Sequence, residues 1–449
     1  MQSSSRIGLL TLPLTLSLLS SAPLAAQEAA EPPPPVLPAP SAPPPPPLET
    51  APAPVVVEKS AIPLPVAPAA VEEKTVEDPR ADTKWTDVVT LSGYAEAYYH
   101  FNLARPENKV TNNRWLDERH NTFTLQTLAL DVAAEYGPVQ AKITLMFGPT
   151  ADRWYFEGAQ IAASAEDAVL SPSGYSNETW KHIQTAYAGY RAPIGDGLLI
   201  QGGLMPTQVG YEGAAVKDNG NWSRSNLFNF LPFFHVGVRV SYPLTEALTL
   251  TGAVYNGWNQ ASDLNRGKTV SLQTAFANDD WVFNLLYLGG NERPTGDLTG
   301  KPWRSLFDAV VQYTVSEDLT LALNADAGFE KGDLGTDSWL AAALYARVRA
   351  TPWLYFAVRG DGIYEDVATR GEDSAAIFFG GGDHVLSGTV TGEIRPIDGI
   401  SFRLEYRHDD SDPKAPLFYK RGFDLADGAA TQRTSRAQNT VTLGMTGWF

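Results

Sequence analysis

From Val89 to Phe449 the chain reads as sixteen short segments in which apolar and polar residues alternate, and the gaps between them are themselves alternately tight and long. Period-two alternation puts successive side chains on opposite faces of a strand. A soluble sheet accounts for that first rhythm but gives no reason for the second. A barrel crossing a bilayer accounts for both. One face of each strand meets lipid and the other the lumen, while tight turns gather at one end and long loops at the other. The expected fold is all-β: a transmembrane antiparallel up-and-down β-barrel of about sixteen strands, with fourteen or eighteen as the neighbouring counts.

The alternation is plain in several segments. Val139, Ala141, Ile143, Leu145 and Phe147 oppose Gln140, Lys142 and Thr144. Leu319, Leu321, Leu323, Ala325 and Ala327 oppose Thr320, Asn324 and Asp326, and Ile400, Phe402, Leu404 and Tyr406 oppose Ser401, Arg403, Glu405 and Arg407. An arginine facing lipid at mid-bilayer costs roughly 2–4 kcal/mol, so the charged face is expected to meet water in the lumen. Two segments depart from the pattern. Parity slips between Leu125 and Leu128, as a β-bulge would cause, and Trp281 to Leu288 is apolar on both faces. Tight Gly/Pro/Asp turns fall at Tyr136–Pro138, Pro193–Gly197, Pro243–Ala247, Asn278–Asp280, Ser316–Asp318, Thr351–Pro352 and Pro396–Gly399. Longer polar stretches lie between them at 102–120, 149–180, 206–233, 258–267, 289–303, 330–337, 365–384 and 408–437. Both ends of the barrel then fall on the short-turn side, which is the periplasm in an outer membrane.

Ahead of the barrel the chain has a different character. Arg6, the apolar run Ile7–Leu19 and the small residues Ala22–Ala26 have the layout of a signal peptide over 1–26. Residues 27–87 are rich in Pro and Ala and are expected to form a disordered periplasmic linker. At about 3.1 Å per residue its proline-rich part could reach on the order of 110 Å, enough for contact with the cell wall. Residues 88–449 are the barrel. No run after residue 26 supplies the roughly 20 apolar residues of a spanning helix. The net charge of −17 disfavours a nucleic-acid partner. Nine acids and five bases lie within the first 84 residues, leaving 42 against 29 and about −13 for the rest, which by itself suggests a lumen mildly favouring cations. The absence of cysteine suits export through an oxidising compartment.

Aromatics gather near strand ends, at Tyr99, Phe101, Phe147, Tyr242, Trp281, Phe329 and Trp353, as interfacial girdles do. The chain stops on an alternating strand whose last residue, Phe449, is similar to the signal read by bacterial barrel-assembly machinery. Further wording resembles a known family. Ser92-Gly93-Tyr94 with Ala97-Tyr98-Tyr99, Gln184–Tyr187, Pro206-Thr207 with Gly210-Tyr211-Glu212, Ser223-Arg224-Ser225, His235–Arg239 and Asn256–Asn259 resemble the OmpL-like β-barrel porins of Gram-negative bacteria. These blocks span roughly residues 90–260; the later strands are similar only in style. The resemblance implies an outer-membrane barrel with pore activity and carries over no catalytic or ligand residue.

The six histidines show no HExxH spacing, no GxSxG is present, and neither a catalytic residue, a metal ligand nor a cofactor is expected. The acidic run His408–Asp412 reads as a solvated loop. Strand parity instead points to pore-lining residues: Arg239, Asp308, Asp326, Arg359, Arg403 and Glu405, whose opposed charges would set a transverse field or a salt-bridge ladder stiffening the wall. The connection 206–234 mixes charge with apolar anchors. Glu212, Trp222 and Arg224 in it are expected to narrow the pore if it folds inward, or to cap the barrel if it packs outward. The expected partners are outer-membrane lipid, the barrel-assembly machinery, the cell wall through the linker, and a second copy of the chain. The favoured function is passive diffusion of small hydrophilic solutes or ions through a water-filled barrel. A structural barrel tethered to the cell wall and a substrate-selective uptake channel are the alternatives.

Overall fold

A strand with one apolar face and one polar face is stable only when its backbone groups are paired and each face meets its own medium, and closing the sheet on itself leaves no edge unpaired. The computed structural model of the protein takes that solution. It describes residues 86, 88–155, 180–263, 265–369, 377–378, 383–414, 416–419 and 435–449, all within the compact unit Glu58–Phe449. The expected signal peptide over 1–26 and nearly all of the expected linker over 27–87 lie outside the described residues. Sixteen antiparallel strands close into one barrel, each paired with its neighbour in sequence and the last paired with the first. They are β1 (Val89–Asn102), β2 (Thr122–Tyr136), β3 (Val139–Phe147), β4 (Ile183–Ala192), β5 (Leu198–Pro206), β6 (Phe234–Pro243), β7 (Leu248–Tyr255) and β8 (Thr269–Ala277). The second half comprises β9 (Trp281–Gly290), β10 (Trp303–Ser316), β11 (Leu319–Gly332), β12 (Gly335–Thr351), β13 (Leu354–Asp366), β14 (His384–Ile397), β15 (Ile400–Ser411) and β16 (Ala437–Trp448).

The seven tight reversals sit where the turn residues predict. Gly137 and Gly399 hold φ of +54° and +84°, a left-handed conformation that a residue with a Cβ adopts at a cost. The barrel closes where β1 meets β16, with Tyr94 opposite Trp448 and Asn102 opposite Thr440. The parity slip in β2 is a bulge: Glu96 pairs with Thr127 and Ala97 with Leu125, so Gln126 is the extra residue.

One expected long loop and the first residues of another are strand instead. Residues 330–337 form a hairpin in which Gly332 faces Gly335 and only Asp333 and Leu334 turn, with Gly335 at φ +125°. Its polar residues read as loop, but beyond the bilayer a strand tolerates polar side chains on both faces. The run His408–Ser411 likewise continues β15, and Asp409 points inward to Arg407 rather than into solvent.

Outward-facing side chains are apolar and bare: Leu340 and Leu344 are 64% and 63% exposed, a surface that only hydrocarbon accommodates as a continuous band. The inward side is unexpected. Leu286 and Leu288 of β9, Leu306 of β10, Trp339, Ala341 and Ala343 of β12 and Ile363 of β13 form a buried apolar core inside the barrel. This accounts for β9, apolar on both faces: Leu285 meets lipid while Leu286 and Leu288 are covered from within. The cover comes from loop residues of the same cluster: Leu227, Phe230 and Leu231 of the connection between β5 and β6, with Trp258 and Phe378, whose ring lies 5.0 Å from Phe230 and 5.2 Å from Trp339.

Candidate functional site

The connection 207–233 leaves β5, crosses the lumen and lies against the opposite wall. Apart from the 3-10 turn Val216–Asp218 and the single helical turn Asn226–Asn229, where Ser225 Oγ accepts from Phe228 N at 3.2 Å, it has no regular structure. Its backbone groups therefore need partners elsewhere. Wall side chains supply them. Glu405 of β15 accepts from Trp222 N at 2.6 Å and from Ser223 N at 2.9 Å, while Glu96 of β1 accepts from Val216 N at 2.5 Å. Asp361 of β13 accepts from Asn226 N at 2.8 Å, Asp308 of β10 from Gly210 N at 3.3 Å, and Asn324 of β11 from Tyr211 N at 3.0 Å. Arginines serve the carbonyls. Arg359 donates to Ser223 O at 2.6 Å and Arg224 O at 3.1 Å, Arg403 to Val216 O at 2.8 Å and Asn221 O at 3.1 Å, and Arg407 to Arg224 O at 2.5 Å.

The charges that make this clamp also neutralise one another. Arg359 bridges Glu212 and Asp361, both at 2.9 Å, Arg403 holds Glu393 at 2.8 Å, and Arg407 holds Asp409 at 2.6 Å. All three guanidinium side chains have no exposed surface. Arg224 turns back onto the loop's own carbonyls, Gly213 O at 2.9 Å, Trp222 O at 2.6 Å and Ala214 O at 2.5 Å. The Trp222 indole lies against the wall at Gly444 of β16, where a Cβ would come within 2.1 Å of the ring. Above the clamp, Arg114 of the 103–121 connection holds Asp117 at 3.0 Å and Asp409 at 3.8 Å. Burial pushes the Asp117 carboxyl up, but Arg114 together with His100, Arg407 and Arg224 outweighs it and holds the group below its ordinary range.

The structure thus brings together Arg359, Arg403 and Glu405 with Glu212, Trp222 and Arg224. It places Asp308 and Asp326 opposite each other in the β10–β11 register, with Asn324 Nδ2 donating to Asp308 at 2.7 Å. All five wall residues face inward as parity requires, but they are buried under the loop rather than wet. Ion pairs and loop backbone in place of lumen water meet the charge of Arg359, Arg403, Glu405 and Asp308, whereas Asp326 has Asn324 Nδ2 at 3.5 Å beside it. Arg239 of β6 is separate, on the far wall, and only half-buried. Phe449 closes the seam: its N–H donates to Gly93 O at 3.1 Å and its carbonyl accepts from Gly93 N at 3.2 Å. Glu96, Asp361, Glu393, Arg407, Asp409 and Gly444 are not among the expected pore-lining residues, although Arg407 stands on the charged face of its strand and Asp409 lies in the acidic run. The charged ones share the inward parity of their strands, so the same alternation marks them; nothing in the sequence marks Gly444. Among the described residues no group of His, Asp and Glu could hold a metal ion.

Inside a closed barrel, exposure of an inward-facing side chain is exposure to the lumen. On the wall facing the clamp that exposure persists. Lys142 and Asp131 keep 38% and 19% of their side-chain surface, and Tyr187, Arg191 and Arg239 are half-buried. Arg239 lies four residues before the end of β6 and Arg359 five after the start of β13, so both are measured from the short-turn end, and only the first is wet. The inward charges Arg359, Arg403 and Arg407 are thus dry under the loop, while Lys142, Asp131, Arg191 and Arg239 across from it keep exposed surface beside the buried Thr144, Gln201 and Ser241.

The sequence model of a family described as "Putative beta-barrel porin-2, OmpL-like" matches residues 88–447. The chain belongs to this family of OmpL-like porins. The match covers every strand of the barrel and makes the protein an outer-membrane barrel. No curated protein matches it. Among solved structures it is similar to a loop L8 deletion mutant of OmpT, an outer membrane protein of Vibrio cholerae, at TM-score 0.49 and 10% identity over 80% of this chain and 99% of that one. It is also similar to the outer membrane channel DcaP of Acinetobacter baumannii, at 0.48 and 14% over 80% and 97%, and to OprB of Pseudomonas putida, at 0.49 and 9% over 81% and 94%.

Proposed function

We propose that this OmpL-like porin lets small hydrophilic solutes or ions diffuse passively across the outer membrane, through a water-filled lane between the inward loop and the β2–β6 wall. A sixteen-stranded barrel is wide enough for an aqueous channel, and a loop laid across it narrows that channel without sealing it. The observation that carries the reading is the unequal wetting at mid-lumen: Arg359 and Arg403 are dry beside the loop, whereas Lys142, Asp131 and Arg239 across from it keep exposed surface. Glu212, Trp222 and Arg224 then form the constriction by fixing the loop to the wall. No turnover and no cofactor enter this scheme. Export by a signal peptide over 1–26, a periplasmic linker over 27–87 and recognition of Phe449 by the assembly machinery complete the proposal.

The buried clamp also suits a plugged structural barrel held to the cell wall by its linker. Swelling of liposomes containing the purified full chain separates the two. A channel swells vesicles with small sugars and fails above a size limit; a plugged barrel swells them with none, and that result would end the diffusion reading.

A further inference from the structure

Arg239 differs from the other arginines that reach the middle of this lumen. Arg114, Arg347, Arg359, Arg403 and Arg407 each hold a carboxylate at 3.0 Å or less. Arg239 holds none: its Nε donates to Gln201 Oε1 at 3.0 Å, the Tyr255 hydroxyl is its other polar neighbour, and no ion pair involves it among the described residues. Gln201 is itself buried on β5, the strand paired with β6 so that Gln201 lies opposite Arg239. A fixed amide thus sets the orientation of the guanidinium through its inner nitrogen, leaving the terminal nitrogens with their charge unmatched.

The surroundings sharpen that contrast. Around Arg239 the wall is neutral and polar, with Ser241 and Thr251 hydroxyls bonded to each other at 2.9 Å. Two of the carboxylates on the wet side are already engaged, Asp131 with Lys142 at 3.1 Å and Asp218 with Lys217 at 2.8 Å, while Glu135 stands at the short-turn end of β2. The inward acids Glu96, Asp308, Asp361 and Glu405 are buried against loop backbone. Much of the inward negative charge at mid-lumen is thereby buried or matched while Arg239 is not, so bulk composition alone does not describe what a solute meets there.

We infer that Arg239 is the specificity-determining residue of the lane and that it recognises small solutes carrying an oxyanion, a carboxylate or a phosphate. A planar guanidinium edge suits such groups because it presents two parallel donors to two oxygens. This assignment rests on the diffusion reading above.

The test is a planar-bilayer recording of the full chain under a potassium chloride gradient, with inorganic phosphate as the probe. Arg239→Gln is expected to move the zero-current potential toward potassium and to weaken phosphate's block of the chloride current about tenfold, the equivalent of one charge-assisted hydrogen bond. Arg239→Lys keeps the charge and loses the fork, so it should hold the potential while phosphate block still weakens. If Arg239→Gln fails to assemble, the lysine variant alone carries the phosphate comparison. A wild-type chain with no open steps overturns the diffusion reading itself. Open steps whose potential and phosphate block are the same in wild type and variants overturn only the role of Arg239.

Discussion

At Gly444 the barrel wall carries no side chain, and the Trp222 indole fills the space a Cβ would need. Gly444→Val should lift the indole off the wall and, as overpacking does, cost about 1–3 kcal/mol. The expected readout is a lower thermal midpoint in detergent together with faster proteolysis inside 207–233; cleavage as slow as in wild type would mean the loop does not depend on that seat. At this scale the sequence is legible in part. Parity identifies Arg359, Arg403 and Glu405 as inward-facing, because alternation is a local property of a strand. It does not show that they are dry, because that depends on a segment more than 100 residues away: Arg359 and Ser223 are 136 residues apart and Arg403 and Val216 are 187 apart.

Among the elements, β9 is the informative one. A strand apolar on both faces conflicts with a water-filled lumen, and the conflict is resolved by the buried apolar cluster that Leu286 and Leu288 share with loop residues such as Val209, Leu227, Phe230 and Leu231. Such a departure from alternation is itself a signal of what covers the strand, though it cannot name the covering segment. Leu288→Ala should destabilise the barrel by about 2–4 kcal/mol through loss of packing, and Leu285→Ala, on the lipid face, by clearly less. Equal losses in urea unfolding from bilayers would show that the inner face of β9 is not packed. The 103–121 connection makes a second prediction. Asp117 sits beside Arg114 and has its pKa depressed, so its contribution is complete above the ordinary carboxylate pKa of about 3.9 and is lost as pH falls through the lower folded value. The stability gap between wild type and Asp117→Asn should therefore be wide near neutrality and close below about pH 4. A gap that stays constant from pH 7 to pH 2 would show that the pair contributes nothing through charge. The hairpin at Asp333–Leu334 was hidden for an opposite reason: outside the bilayer, polar residues no longer distinguish strand from loop.

For the whole molecule, the strand count, the closure of β1 on β16 and the placement of short turns follow from rhythm alone, since a bilayer and a closed sheet leave few other solutions. What fills the barrel does not follow, because a lumen can be wet or packed with the same alternation on its outer face. The central claim is a lane of water beside a clamped loop. Single-channel recording of the full chain and of a variant lacking Gly213–Gly220 tests it most directly. Discrete open steps in the wild type, with larger steps after the deletion, are the predicted result; a wild type that never opens, or steps of the same size in both, would contradict it.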